Sequence, residues 1–96
     1  MINASIDFVF YVLEFFAFAD GSTVFCGKVD GDVERIPPGE YYLLVDGKKV
    51  QMLNIASEMM PKKLASHVER SINTFDSVNL SRDLLGKSEI KIVSKI

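Results

Sequence analysis

The chain has 96 residues, enough for one domain spanning 1–96, and its apolar residues are needed mostly for one small core. With 48% hydrophobic, 10% aromatic and 25% charged residues, its composition excludes a disordered chain. The single cysteine, Cys26, excludes an internal disulfide and is consistent with a reducing, cytoplasmic setting.

The apolar stretch over residues 8–19 follows no basic residue and is interrupted by Glu14. It is also shorter than the roughly 20 residues that a membrane helix needs. It reads as a core strand rather than a leader or anchor, so no membrane partner is expected. The net charge of −2 conceals an asymmetry. Residues 1–60 hold nine acids against four bases, and residues 61–96 hold seven bases against four acids. A polarised surface of this kind can steer a charged partner.

Residues 6–18 are rich in Phe, Val and Tyr and end at the turn pair Asp20-Gly21. This run is longer than a typical strand, which predicts a bulge or bend near Glu14. A second strand is expected over 23–29, where Gly27 marks a bulge or a close backbone approach. Ile36-Pro37-Pro38-Gly39 is a rigid connection through which no strand can pass. A third strand over 40–45 leads through Asp46-Gly47, a type I′ turn signal, into a fourth over 49–55. Leu64, Val68 and Ile72 fit a helix, but Val68, Arg70, Ile72 and Thr74 fit a strand equally well, so 64–74 is left open. Ser81 caps one helical turn that Gly86 stops, and a last strand covers 89–94. The expected core is Val12, Phe16, Phe18, Val24, Val29, Leu44, Leu53, Ile55, Ile90 and Ile92. Five to six strands with at most one or two short helices predict a mainly all-β domain, a small closed antiparallel β-barrel.

One stretch carries a resemblance. Leu13-Glu14, Phe16 and Phe18 lead to Asp20-Gly21, followed by Thr23-Val24-Phe25-Cys26-Gly27-Lys28-Val29 and by Ile36-Pro37-Pro38-Gly39-Glu40. This order and spacing resemble the second-domain β-barrel of the translational GTPases, found in elongation factor Tu and its relatives. The resemblance covers about a third of the chain and implies a six-stranded closed barrel, here as a free-standing domain. It does not imply GTP binding, because no G-x-x-x-x-G-K-[ST] run is present.

The inventory for chemistry is small. Cys26 and the only histidine, His67, formally permit a Cys-His pair, but Cys26 sits in an apolar strand as a structural thiol would. The pair also falls short of a metal-ligand set, and no cofactor is expected. Asp30, Asp32 and Glu34 alternate at a turn without the twelve-residue pattern of a Ca²⁺ loop. Most aromatics, from Phe8 to Phe18, have no basic residue among them and are assigned to the core. Tyr41 and Tyr42 must point to opposite faces, which leaves one as a contact residue.

These observations favour a non-enzymatic protein-binding module, in its sharper form a small inhibitor or immunity-type protein that neutralises a basic partner such as a nuclease toxin. Asp20, Asp30, Asp32 and Glu34, with one of Tyr41 or Tyr42, are expected to contribute to its partner-binding surface. A second reading is an accessory factor contacting RNA or the translation machinery, motivated by the barrel resemblance and the basic last third. The pI near 5.3 argues against strong nucleic-acid affinity.

Overall fold

The structure is a computed structural model describing residues 8–31, 33–59 and 69–94. Six strands are present: β1 (Phe8–Ala17), β2 (Thr23–Gly31), β3 (Gly39–Val45), β4 (Lys48–Met59), β5 (Glu69–Thr74) and β6 (Ile90–Ser94). They close into an antiparallel barrel in the order β1-β2-β5-β4-β3-β6. The sequence-based expectation of a small closed all-β barrel therefore holds. Two hairpins, β1–β2 and β3–β4, stand opposite each other. β5 joins them along one side between β2 and β4, and β6 along the other between β3 and β1.

The β1–β2 turn, the β3–β4 turn and the segment between β5 and β6 share one end of the barrel, termed the upper end. The β2–β3 connection lies at the lower end. The segment 64–74, left open from sequence, resolves at its described residues as strand β5. Among the described residues the helical content is one 3₁₀ turn, Arg82–Leu84, capped by Ser81 as expected, with Gly86 following at φ +79°. The Asp46-Gly47 turn has positive φ at both residues, +52° and +83°, as a type I′ hairpin requires.

The core contains Phe10, Phe25, Leu43, Leu53, Ile55, Ile72 and Ile92, with no more than 1% of any of them exposed. Phe8, Val12, Phe15, Tyr41 and Ile90 complete the interior of the barrel. Val33 and Ile36 join it from the β2–β3 connection, and Val78, Leu80, Leu84 and Leu85 pack on it from the segment after β5.

The expected bulge near Glu14 is present, since β1–β2 pairing shifts between Val12 and Glu14. The extra residue reverses which side chains face inward. Phe8, Phe10 and Val12 point into the barrel, and beyond the bulge Phe15 does so in place of Phe16. Phe16 and Phe18 are therefore not core residues, contrary to the sequence-based assignment. Val24 and Leu44 are also displaced, to half-buried positions, because Phe25 and Leu43 take the inward phase of their strands. Val12, Leu53, Ile55, Ile90 and Ile92 are buried as expected, and Val29 packs against the core while partly buried.

Candidate functional site

The residues expected to form an acidic surface are divided between the two ends. Asp30 and Glu34 are exposed at the lower end, with Lys28 and Arg35 near them in sequence. Asp20 is at the upper end, separated from Asp30 by most of β2, about 23 Å at the rise of a strand. Asp32 lies outside the described residues. Tyr41 is buried and is not a surface contact, so the outward tyrosine is Tyr42, whose ring is covered by Lys49 Nζ at 3.9 Å.

At the lower end the chain is clasped rather than open. From β5, the Arg70 guanidinium donates to Glu58 Oε2 (2.6 Å), to the carbonyl of Val33 (2.7 Å) and to that of Glu34 (2.9 Å). Glu58 Oε1 also accepts the Ile36 N–H at 2.8 Å, and its side chain is only 4% exposed. Burial alone would raise the Glu58 carboxyl. The hydrogen bonds from Arg70 and Ile36, with the charges of Arg70 and Arg35, outweigh it and hold the carboxyl below its ordinary value. Tyr41 Oη donates to the Pro37 carbonyl at 2.5 Å. Burial, with the nearby Glu58 charge, pushes this phenol up to about 12.

Among the described residues the upper end carries an open groove. A groove of about 350 Å³ lies between the β1–β2 turn and the segment after β5, lined by Phe18, Ser22, Asp76, Val78, Leu80 and Arg82 among others. Hydrogen bonds hold both walls in place. In the turn, the Phe18 N–H donates to the Ser22 carbonyl (2.8 Å), and Asp20 Oδ1 accepts both the N–H and the Oγ–H of Ser22 (2.9 and 2.6 Å). These bonds, the side-chain one foremost, lower the Asp20 carboxyl. In the other wall, Asp76 Oδ2 accepts the Asn54 N–H (2.7 Å). Gln51 Nε2 donates to the Ser77 carbonyl (2.9 Å) while its Oε1 accepts from the Asn79 N–H (2.6 Å).

Of the groove's lining residues Phe18 is 53% exposed, and Phe75 (61%) and Phe16 (44%), each next in sequence to a lining residue, also face solvent. Arg82 donates to the Phe15 carbonyl (2.6 Å) and pairs with Glu14 (3.0 Å), with its guanidinium 6.0 Å from the centre of the Phe16 ring. Sequence reasoning missed this site. The strand alternation read from sequence puts Phe16 and Phe18 in the interior, and Phe75 carries no local signal. For Phe16 the signal was available, because an odd insertion before Glu14 obliges every later residue of β1 to change face.

Cys26 lies on the outer face of β2 with Sγ 3.5 Å from Ser71 Oγ, and His67 lies outside the described residues. Among the described residues no cluster of three or more His, Cys, Asp and Glu could hold a metal, and no helix is long and apolar enough to cross a membrane.

The fold and this surface thus define a small closed barrel with a groove at its upper end in which Phe18 faces solvent. No family model, curated protein or solved structure matches the chain.

Proposed function

We propose that the chain is a non-enzymatic protein-binding module that receives a basic partner on the upper end of its barrel, as a small inhibitor or immunity-type protein would. The observation that carries this reading is the exposure of Phe18 in the groove, with Phe16 and Phe75, also exposed, each next in sequence to a groove-lining residue. Aromatic and arginine side chains dominate the energetics of protein interfaces, and a chain this small leaves three phenylalanines in water at a cost unless a partner covers them. The preference for a basic partner follows from Asp20 and Asp76, exposed acids in or beside the two walls, while Arg82 is already paired with Glu14.

The test uses basic nucleases, including any encoded next to this chain's own gene, with inhibition of their activity as the readout. Wild-type protein is expected to inhibit one of them stoichiometrically, and Phe18→Ser/Phe75→Ser to lose at least tenfold in affinity while keeping its melting temperature. Full inhibition by the double variant, or none by the wild type, rejects the reading.

A further inference from the structure

Most of the aromatic residues cluster in a segment without bases, but strand register brings lysines beside Tyr11. Tyr11 of β1 pairs with Lys28 of β2 on one side and with Lys91 of β6 on the other. Lys91 pairs with Leu44 of β3, and Leu44 with Lys49 of β4. Phe10, Leu43 and Ile92 take the inward positions next to them, so these side chains point outward. At about 4.8 Å between strands they form a row of about 19 Å, with a lysine every 10 Å or so. Tyr11 also lines a groove of about 440 Å³ that opens toward Leu13 and Lys87.

Among the described residues Lys28, Lys49 and Lys87 have no carboxylate within ion-pair distance, and Lys91 has Glu89 at 3.4 Å. The row itself contains no acid. Asp30 and Glu69 flank its Lys28 end, and Glu89, the partner of Lys91, lines the groove beside Tyr11. Whole-chain charge, which argued against nucleic acid, does not describe this face.

We propose that the outer face of β2, β1, β6, β3 and the start of β4 is a binding site for single-stranded nucleic acid. Lys28, Lys91 and Lys49 contact phosphates, and a base stacks on Tyr11 over the adjoining groove. Single-strand binders combine a basic track with aromatic platforms, and stacking accepts any base because every base has a π-face. An acidic protein segment would use the lysines but has no regular series of flat bases to stack beside them, and duplex DNA is read chiefly by elements that enter a groove. The site lies on the barrel side, apart from the upper-end groove, and does not depend on the reading proposed for that groove.

The test is fluorescence anisotropy of the full chain with a labelled oligouridylate of about 12 nucleotides across a salt series. Binding should weaken with salt with a log–log slope near −2, as about three phosphate contacts on a single strand give. Lys28→Gln/Lys49→Gln/Lys91→Gln should lose at least tenfold in affinity and flatten the slope. Tyr11→Leu, which retains an apolar strand residue, should lose roughly tenfold with the slope unchanged. Phe18→Ser/Phe75→Ser should bind as the wild type does, and circular dichroism and melting temperature confirm folding of each variant. Absence of wild-type binding at low salt overturns the proposal, as does equal affinity for poly-glutamate or unchanged binding by the folded triple-lysine variant.

Discussion

Gly27 passes directly under the backbone of Tyr11: a Cβ placed on it would stand 1.8 Å from the Tyr11 carbonyl oxygen. The obstacle is main chain within a paired hairpin, so no rotamer change relieves it. Gly27→Ala should cost more than about 4 kcal/mol or abolish folding. Gly47→Ala, at φ +83° in open space, carries only backbone strain and should cost about 1–2 kcal/mol. Thermal melts of the two variants check the contrast, and equal losses would contradict it.

The face reversal after the β1 bulge separates two neighbouring phenylalanines. Phe15 is 6% exposed and stacks on Phe25 with ring centres 6.3 Å apart. Phe15→Ala should therefore destabilise by roughly 3–5 kcal/mol. Phe16→Ala should cost about 0.5 kcal/mol or less, as a surface change does. Chemical denaturation of both variants measures the difference. A larger loss from Phe16→Ala would mean that the strand phase is wrong.

The lower-end clasp gives stability a sign in acid. The folded-state carboxyl of Glu58 is held below its ordinary value of 4.5. Its contribution is thus complete above pH 4.5 and is lost as pH falls from there toward the lowered value. Glu58→Gln should cost roughly 3 kcal/mol at neutral pH, since it leaves Arg70 without its charge partner, and should flatten the acid limb of a stability profile. An unchanged acid limb would remove the clasp from the account.

Tyr41 gives the opposite limb. Its phenol is raised in the folded state, so the corresponding stability is complete below pH 10 and is lost as pH rises through about 12. Ultraviolet titration should show a phenol ionising near pH 12 that Tyr41→Phe removes. Persistence of that late transition in the variant would assign it elsewhere.

Charge should act differently at the two ends. Asp20→Asn/Asp76→Asn should slow association with a basic partner several-fold at low salt, whereas Asp30→Asn/Glu34→Gln should leave it nearly unchanged. Asn at 76 retains an acceptor for the Asn54 N–H. Stopped-flow association rates over a salt series decide, and the reverse pattern would move the docking surface to the lower end.

Much of the barrel was legible because its signals are local. Asp46-Gly47, Ser81 with Gly86, the close approach at Gly27 and the bulge near Glu14 each act within a few residues. The candidate site was harder to read, because facing depends on accumulated parity. One extra residue at Leu13 moves Phe16 outward, and no single position announces it. Cross-strand neighbours such as Tyr11 and Lys91 stand eighty positions apart, so register alone brings them together. Tyr41 and Tyr42 were correctly set on opposite faces. Which of them faced inward followed from the phase of Leu43, which the hairpin turn does not fix.

The two bridging strands also dictate an order of assembly. Each hairpin can form from neighbouring residues, but neither can satisfy its outer edges until β5 and β6 arrive from the later part of the chain. The five residues of β6 close β1 and β3 at once, so a chain lacking them would expose two unpaired edges ready to recruit another copy. Closure over such sequence separation is slow, on the order of milliseconds to seconds, and that interval is when this molecule is most exposed to self-association.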